Sequence, residues 1–172
     1  MIEKINKTSL EGVLLIELKG FEDHRGHYVE IYNREKYVEE GINLDFIQDD
    51  YSMSARYVLR GIHGDAETWK LISCPFGKFY LVVVDCRKTS CTFGKWESFV
   101  LSEANRKQVL IPPQFGNGHL ILSETAIFHY KQSTYYEPAK QFTYKWNDPI
   151  FNIWWPVKNP ILSRRDEVGQ YV

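Results

Sequence analysis

A chain of 172 residues can bury one substantial core but is short for two, and 44% hydrophobic with 25% charged residues is an ordinary globular composition. With 21 Lys and Arg against 22 Asp and Glu the net charge is −1, which excludes a global field that would recruit nucleic acid or an anionic membrane. The longest apolar runs, such as Phe79 to Val84, are far too short to span a bilayer, and the N-terminus MIEKINKTSL lacks the apolar centre of a signal peptide. One domain over 1–172 in the cytoplasm is therefore expected. Three cysteines, Cys74, Cys86 and Cys91, show no CxxC spacing, which points to a reducing compartment without a disulfide framework. Aromatic residues at 15%, with eleven Tyr and five Trp, point to a wide ligand pocket or a large subunit interface.

In chain order, VLLIEL within Thr8 to Leu18 reads as a short apolar strand, closed by Lys19-Gly20. Asp23 to Gly26 predicts a tight turn, and Tyr28, Glu30 and Tyr32 fall on one face of the strand expected after it. Asn33 to Glu40 is the one convincing helix: Asn33 can cap its start, and Gly41 ends it. The remainder reads as β. In Tyr57 to Leu71, YVLRGIHGDAETWKL, apolar segments flank the Gly64 to Glu67 turn, which predicts an antiparallel hairpin carrying Arg60, His63 and Lys70. Simple alternation puts Leu59, Gly61 and His63 on one face of its first strand and Arg60 and Ile62 on the other. Phe79 to Cys86 is almost wholly apolar, as a strand buried on both sides would be. Trp96 to Leu101, Gln108 to Ile111, His119 to Leu122 and Ala126 to Gln132 follow as short strands separated by turn signals. Many short strands with little helix argue for an all-β sandwich or small barrel, best as a jelly roll. The Pro- and Trp-rich C-terminal stretch has no clean period and reads as a lid-like coil over the barrel.

Three kinds of chemistry are open at this point. His63, Glu67 and His119 could converge on a metal, although no HxH or HExxH spacing holds two imidazoles together. Arg25 and Arg60 could clamp a phosphate in the absence of a P-loop or GxGxxG. His63 and Tyr130 could serve as a base and a proton donor.

Taken together, the segments FEDHRGHYVEIYN, IQDDYSMS, VLRGIHGD, KLISCPFGK, VVVDCRKTSCTFGKWESFVLS, LIPPQFGNGH, HYKQSTYYEP, WNDPIFNIWWP and ILSRRD resemble, in order, the nucleotide-sugar 3,5-epimerases typified by dTDP-4-dehydrorhamnose 3,5-epimerase. The resemblance covers nearly the whole chain. It implies a homodimeric cupin with an exchanged N-terminal segment, acting on a nucleotide-linked 4-keto sugar without a metal or redox cofactor. His63 then matches the base, Asp166 the carboxylate that orients it, Tyr130 the acid on the opposite face of the sugar, and Lys70 the cation beside the C4 oxygen. Arg60 matches a phosphate contact, and Arg25 and Glu30 match nucleotide contacts supplied across the dimer. Gln48, Asp50 and Tyr136 match further substrate contacts, Asp50 replacing a common asparagine.

Two positions depart from the dTDP enzymes. Asn117 stands where a second histidine is usual, and Leu81 where its accompanying carboxylate is usual, with His119 two residues along on the same strand face. VLRGIHGD followed by KL, VDCRKTSCT and PPQFGNGH are most similar to Campylobacter enzymes that act on GDP-4-keto-heptoses in capsule synthesis. The resemblance therefore implies C3 or C3/C5 epimerisation of a GDP-4-keto-heptose, with a dTDP-sugar epimerase, a sugar 3,4-ketoisomerase and a non-catalytic sugar-binding cupin as alternatives.

Overall fold

The computed structural model describes residues 1–172, which form two packed antiparallel sheets. One has six strands in the order β1 (Ile2–Lys7), β2 (Leu14–Leu18), β10 (Lys107–Ile111), β7 (Lys70–Phe76), β12 (Thr125–Gln132) and β5 (Gln48–Ala55). The other has five, ordered β13 (Phe142–Thr143), β6 (Leu59–Gly64), β11 (Phe115–Ile121), β8 (Lys78–Asp85) and β9 (Trp96–Ser102). A separate hairpin joins β3 (Gly20–Asp23) to β4 (Gly26–Val29) through the expected turn. The expected extension through Tyr32 is absent, because the strand ends at Val29. The all-β sandwich agrees with the sequence reading. Helix α1 (Arg34–Glu39) is also where it was expected, with Asn33 accepting from the N–H of Lys36. No helix is long and apolar enough to cross a membrane.

Strand β8 organises the packing. Phe79, Leu81 and Val83 point between the sheets, where they meet Leu101, Val109, Ile121 and Phe128. Tyr80, Val82 and Val84 point the other way. A buried apolar side chain of this size is worth about 1.5–3 kcal/mol over an exposed one, so the outer row needs a cover. The C-terminal stretch supplies it: Phe151 and Trp155 are buried there, and the Trp155 indole N–H donates to the Trp146 carbonyl at 2.9 Å. The expected lid is thus an outer layer on the five-stranded sheet, and it reaches the cavity only through isolated side chains.

Three further expectations are corrected. Strands β6 and β7 are not a hairpin, since they lie in opposite sheets and the segment between them is a corner. Asp65 builds that corner by accepting from the N–H groups of Glu67 at 2.9 Å and Thr68 at 2.7 Å. Such a turn serves a hairpin or a sheet-to-sheet crossing equally well. The alternation along β6 is also broken. His63 pairs with Asn117 and Arg60 with His119, so three steps on β6 match two on β11. The extra residue is a bulge that reverses the parity and turns Arg60 and His63 to one side. Gly61 permits it, with φ +130 and a position where a Cβ would clash with the Gly118 Cα. Finally, there is a second helix, the single turn α2 (Arg164–Glu167), capped by the Ser163 hydroxyl, which accepts from the Asp166 N–H at 3.2 Å.

Candidate active site

Between the sheets lies a cavity of about 210 Å³, whose wall includes Arg60, His63, Lys70, Asn117, His119, Tyr130 and Tyr136. The β6 bulge delivers Arg60 and His63, and strand alternation delivers Asn117 and His119 from β11. Phe128, Tyr130 and Gln132 share one face of β12, and Gln132 stands opposite Lys70 at the start of β7.

A short contact joins the His63 Nε2 to the Asp166 Oδ1 at 2.6 Å. Asp166 is 1% exposed. It also accepts from the Gly61 N–H at 3.2 Å and from the Ser163 hydroxyl at 2.6 Å. Burial alone would raise its carboxyl, but the bonds from His63, Ser163 and Gly61 outweigh that and hold it below the usual carboxylate range. An ionised carboxylate accepts, so the Nε2 of His63 carries the ring proton and the Nδ1 keeps its lone pair. This leaves His63 oriented, with one ring nitrogen free of protein partners.

Lys70 is buried, its ammonium 3.9 Å from Asp65. Burial lowers its pKa, Asp65 opposes that shift, and Arg165 adds to it. Tyr130 is pushed up to about 12, mainly by burial, so its phenol holds its proton at neutral pH. His119 is 3% exposed and stacks on Phe128 with ring centroids 3.9 Å apart. Burial, then the nearby Arg60 and His63, bring its pKa down to about 3, and the imidazole is neutral. Arg60 donates to the Ser54 hydroxyl from its Nε at 3.2 Å and from its Nη2 at 3.1 Å.

The other named positions lie further out. Gln48 and Asp50 stand behind the wall. Asp50 accepts from Gln48 at 2.6 Å and from Gln132 at 2.9 Å, while the Gln48 carbonyl accepts from the Tyr136 N–H at 2.8 Å. Arg25 and Glu30 are outside the cavity of their own chain. Arg25 pairs with Asp23 at 2.7 Å on the β3–β4 turn, and Glu30 pairs with Lys36 at 2.7 Å. Glu67 is exposed and 3.4 Å from Lys140, so the His63, Glu67 and His119 grouping does not form. All three cysteines are free, with Cys74 and Cys86 buried and Cys91 exposed.

Sequence reasoning missed Tyr51, Ser52, Phe128, Gln132, Gln141 and Arg165 of the lining. Phe128 and Gln132 could have been found, because they flank Tyr130 at two-residue spacing on one strand face. Arg165 was hidden by the coil reading of its segment, although Ser163-x-x-Asp166 is a helix-start signal. Its Nε donates to the Thr143 hydroxyl at 2.8 Å.

The arrangement offers an oriented base, a buried ammonium and a protonated phenol around one space, which suits proton removal from a carbon acid beside a carbonyl. Comparison with known proteins agrees. The family model described as dTDP-4-dehydrorhamnose 3,5-epimerase matches residues 7–172. The dTDP-4-dehydrorhamnose 3,5-epimerase of Shigella flexneri is 41% identical over 168 residues, covering 95% of this chain and 93% of that one. The dTDP-6-deoxy-D-glucose-3,5-epimerase of Legionella pneumophila, solved with dTDP-4-keto-L-rhamnose, superposes with a TM-score of 0.93 at 36% identity, covering 98% of this chain and 92% of that one. A 3'-monoepimerase from Streptomyces bikiniensis, solved with dTDP-quinovose, gives a TM-score of 0.89 at 32% identity, covering 95% and 85%. By match length and identity this chain belongs to the dTDP-4-dehydrorhamnose 3,5-epimerase family and is, with it, a carbohydrate isomerase.

Proposed function

We propose that a single cupin unit over 1–172 inverts carbon flanking the ketone of a nucleoside-diphosphate-linked 4-keto sugar. The observation that carries this reading is the 2.6 Å contact between His63 and the buried Asp166, in a cavity shared with Lys70 and Tyr130. The ketone acidifies the C3 and C5 protons. His63 takes one of them onto its free ring nitrogen, and the C–H electron pair moves through C4 onto the ketone oxygen. Asp166 stabilises the resulting imidazolium, and the Lys70 ammonium stabilises the enolate oxygen more than it does the ketone. Tyr130 returns a proton to the opposite face of the carbon, the enolate electrons collapse back to the ketone, and the configuration is inverted. A proton from solvent restores Tyr130 while His63 gives one up, so the cycle closes without a net change.

Arg60 contacts the diphosphate in this scheme, and Tyr136 the substrate, held by Gln48 and Asp50 behind it. Arg25 and Glu30 serve a second copy's cavity in a homodimer, on the β3–β4 side of an exchanged N-terminal segment. A cytoplasmic location accords with a nucleotide-sugar substrate.

dTDP-4-keto-6-deoxyglucose is the first substrate to test, since the relatives above are dTDP-sugar enzymes. A GDP-4-keto-heptose is the second, favoured by Asn117 and His119 in the wall, with Leu81, the cross-strand neighbour of His119, standing in the core where dTDP enzymes usually have a carboxylate. Proton NMR in D₂O distinguishes them: deuterium entering C3 or C5 of one compound and not the other identifies the carrier and sugar. Entry at C3 alone makes the protein a monoepimerase. No exchange in either removes the epimerase reading.

A further inference from the structure

Arg60, Arg165 and Lys70 bring three cations to one cavity, and two of them are tied to hydroxyls, Arg60 to Ser54 and Arg165 to Thr143. Lys70 is buried and has one ion-pair partner, Asp65, at 3.9 Å. That distance is too long for a direct hydrogen bond, so Asp65 acts on the ammonium through its charge and leaves the Nζ protons to the cavity. The carboxylate is itself fixed. Its Oδ1 accepts from the N–H groups of Glu67 at 2.9 Å and Thr68 at 2.7 Å, and its Oδ2 accepts from the Gln141 amide at 2.9 Å. Burial pushes the Asp65 carboxyl up, but these bonds and the Lys70 charge outweigh that, so it is ionised at neutral pH. Asp65 is not on the wall of the cavity; it faces a neighbouring space of about 540 Å³, and Gln141 lines both. No other carboxylate is available to Lys70. Strand β6 brings Arg60 and His63 to the cavity, α2 brings Arg165, β11 the neutral His119, and β12 with the loop after it the phenols of Tyr130 and Tyr136. Strand β10 sets Ile111 opposite Lys70. Asp166 is committed to His63, Asp50 to Gln48 and Gln132, and Glu67 to Lys140.

We propose that Asp65 is a positioning residue of the epimerase centre: from the corner that joins the His63 strand to the Lys70 strand, it supplies the counter-charge that lets a buried lysine present an ammonium to the ketone oxygen, without touching the substrate. This rests on the proton-transfer reading above and deepens it, because stabilisation of an enolate by Lys70 requires the lysine to be charged before the substrate arrives. Without Asp65, burial and Arg165, which both lower the Lys70 pKa, act unopposed, and the ammonium is lost at a lower pH.

The test is an NMR titration of the Lys70 side chain, its signal identified by its loss in Lys70→Arg, in wild type, Asp65→Asn and Asp65→Ser. Both replacements of Asp65 keep an oxygen for the Glu67 and Thr68 N–H groups while removing the charge, so the corner is preserved. The Lys70 midpoint should fall to lower pH in both. Deuterium entry into a nucleotide-linked 4-keto sugar, which needs Lys70 but not Tyr130, should follow it: the deficit of the variants should widen from about pH 6 to about pH 9, reaching roughly 10-fold, with affinity for the nucleotide alone unchanged. An unmoved midpoint would overturn the proposal, as would a deficit equal at every pH, which is the mark of a purely structural corner. Absence of exchange in wild type would remove the epimerase reading instead, and the titration, which needs no turnover, still decides whether Asp65 holds the charge on Lys70.

Discussion

His63 and Asn117 face each other across β6 and β11, yet the fold treats them in opposite ways. The imidazole of His63 is fixed at 2.6 Å by Asp166, which is itself fixed by Ser163 and by the Gly61 N–H. The Asn117 carbonyl, one strand away, bonds to nothing in the protein. A group that must move a proton along one path gains from having its geometry decided before the substrate arrives. A group that must recognise a substrate gains from being left open, because its unpaired state penalises the wrong ligand. The contrast separates the fixed, proton-moving group on β6 from the unpaired groups on the neighbouring β11.

Changes on the partnered side should have the largest effects. His63→Asn should lower solvent exchange at carbon by about 10²–10⁴-fold while nucleotide affinity is retained, as NMR exchange rates and calorimetry would register. Tyr130→Phe comes next and divides the reaction: exchange continues because the base is intact, but inverted product should fall by roughly 10²-fold. Epimer forming at the normal rate in that variant would place the acid elsewhere.

Asp166 provides a stability test of the same side. Its folded-state carboxyl is held below the ordinary value of 3.8, so the folded protein binds that proton less readily than the unfolded chain. The stabilisation is present above about pH 3.8 and is lost as the pH falls through the lower folded value. Wild type should therefore lose more Tm than Asp166→Asn between pH 5 and pH 3, and parallel Tm profiles would contradict this. The smallest effect belongs to the orphaned side and has the opposite sign. His119→Phe removes the unpaired nitrogen and keeps the stack on Phe128, so it should stabilise by about 1 kcal/mol, read as a Tm rise of roughly 2–4 °C. Destabilisation would mean that His119 is bonded in the free protein.

Several elements of the fold were legible in the sequence because their signals are local. The run from Phe79 to Val84 announces a strand with two buried faces, and Asn33 and Gly41 announce the ends of α1. His63, Lys70, Tyr130 and Asp166 were legible through motif resemblance, which carries residue identities past the missing geometry. What could not be read depends on partners distant in the chain. The corner at Asp65 has ordinary turn chemistry, and only the neighbours of β6 and β7 decide that it joins two sheets. The bulge at Gly61 exists because β6 must pair with β11, and a two-residue period has no means of signalling it. Strand β11 opens with Phe-Gly-Asn-Gly, whose Gly-Asn-Gly is a weak strand former held in place by pairing on both sides. The orphaned state of Asn117 and His119 is a property of what surrounds them, and no inspection of the chain would have found it.

The central claim is that His63, oriented by Asp166, removes a proton from carbon beside a ketone. Its most direct test is the rate of deuterium entry from D₂O into a nucleotide-linked 4-keto sugar, compared between wild type and His63→Asn. Rapid entry at a carbon flanking the ketone in wild type, with loss of about 10²-fold or more in the variant, is the predicted result. Exchange at the wild-type rate in His63→Asn would contradict it.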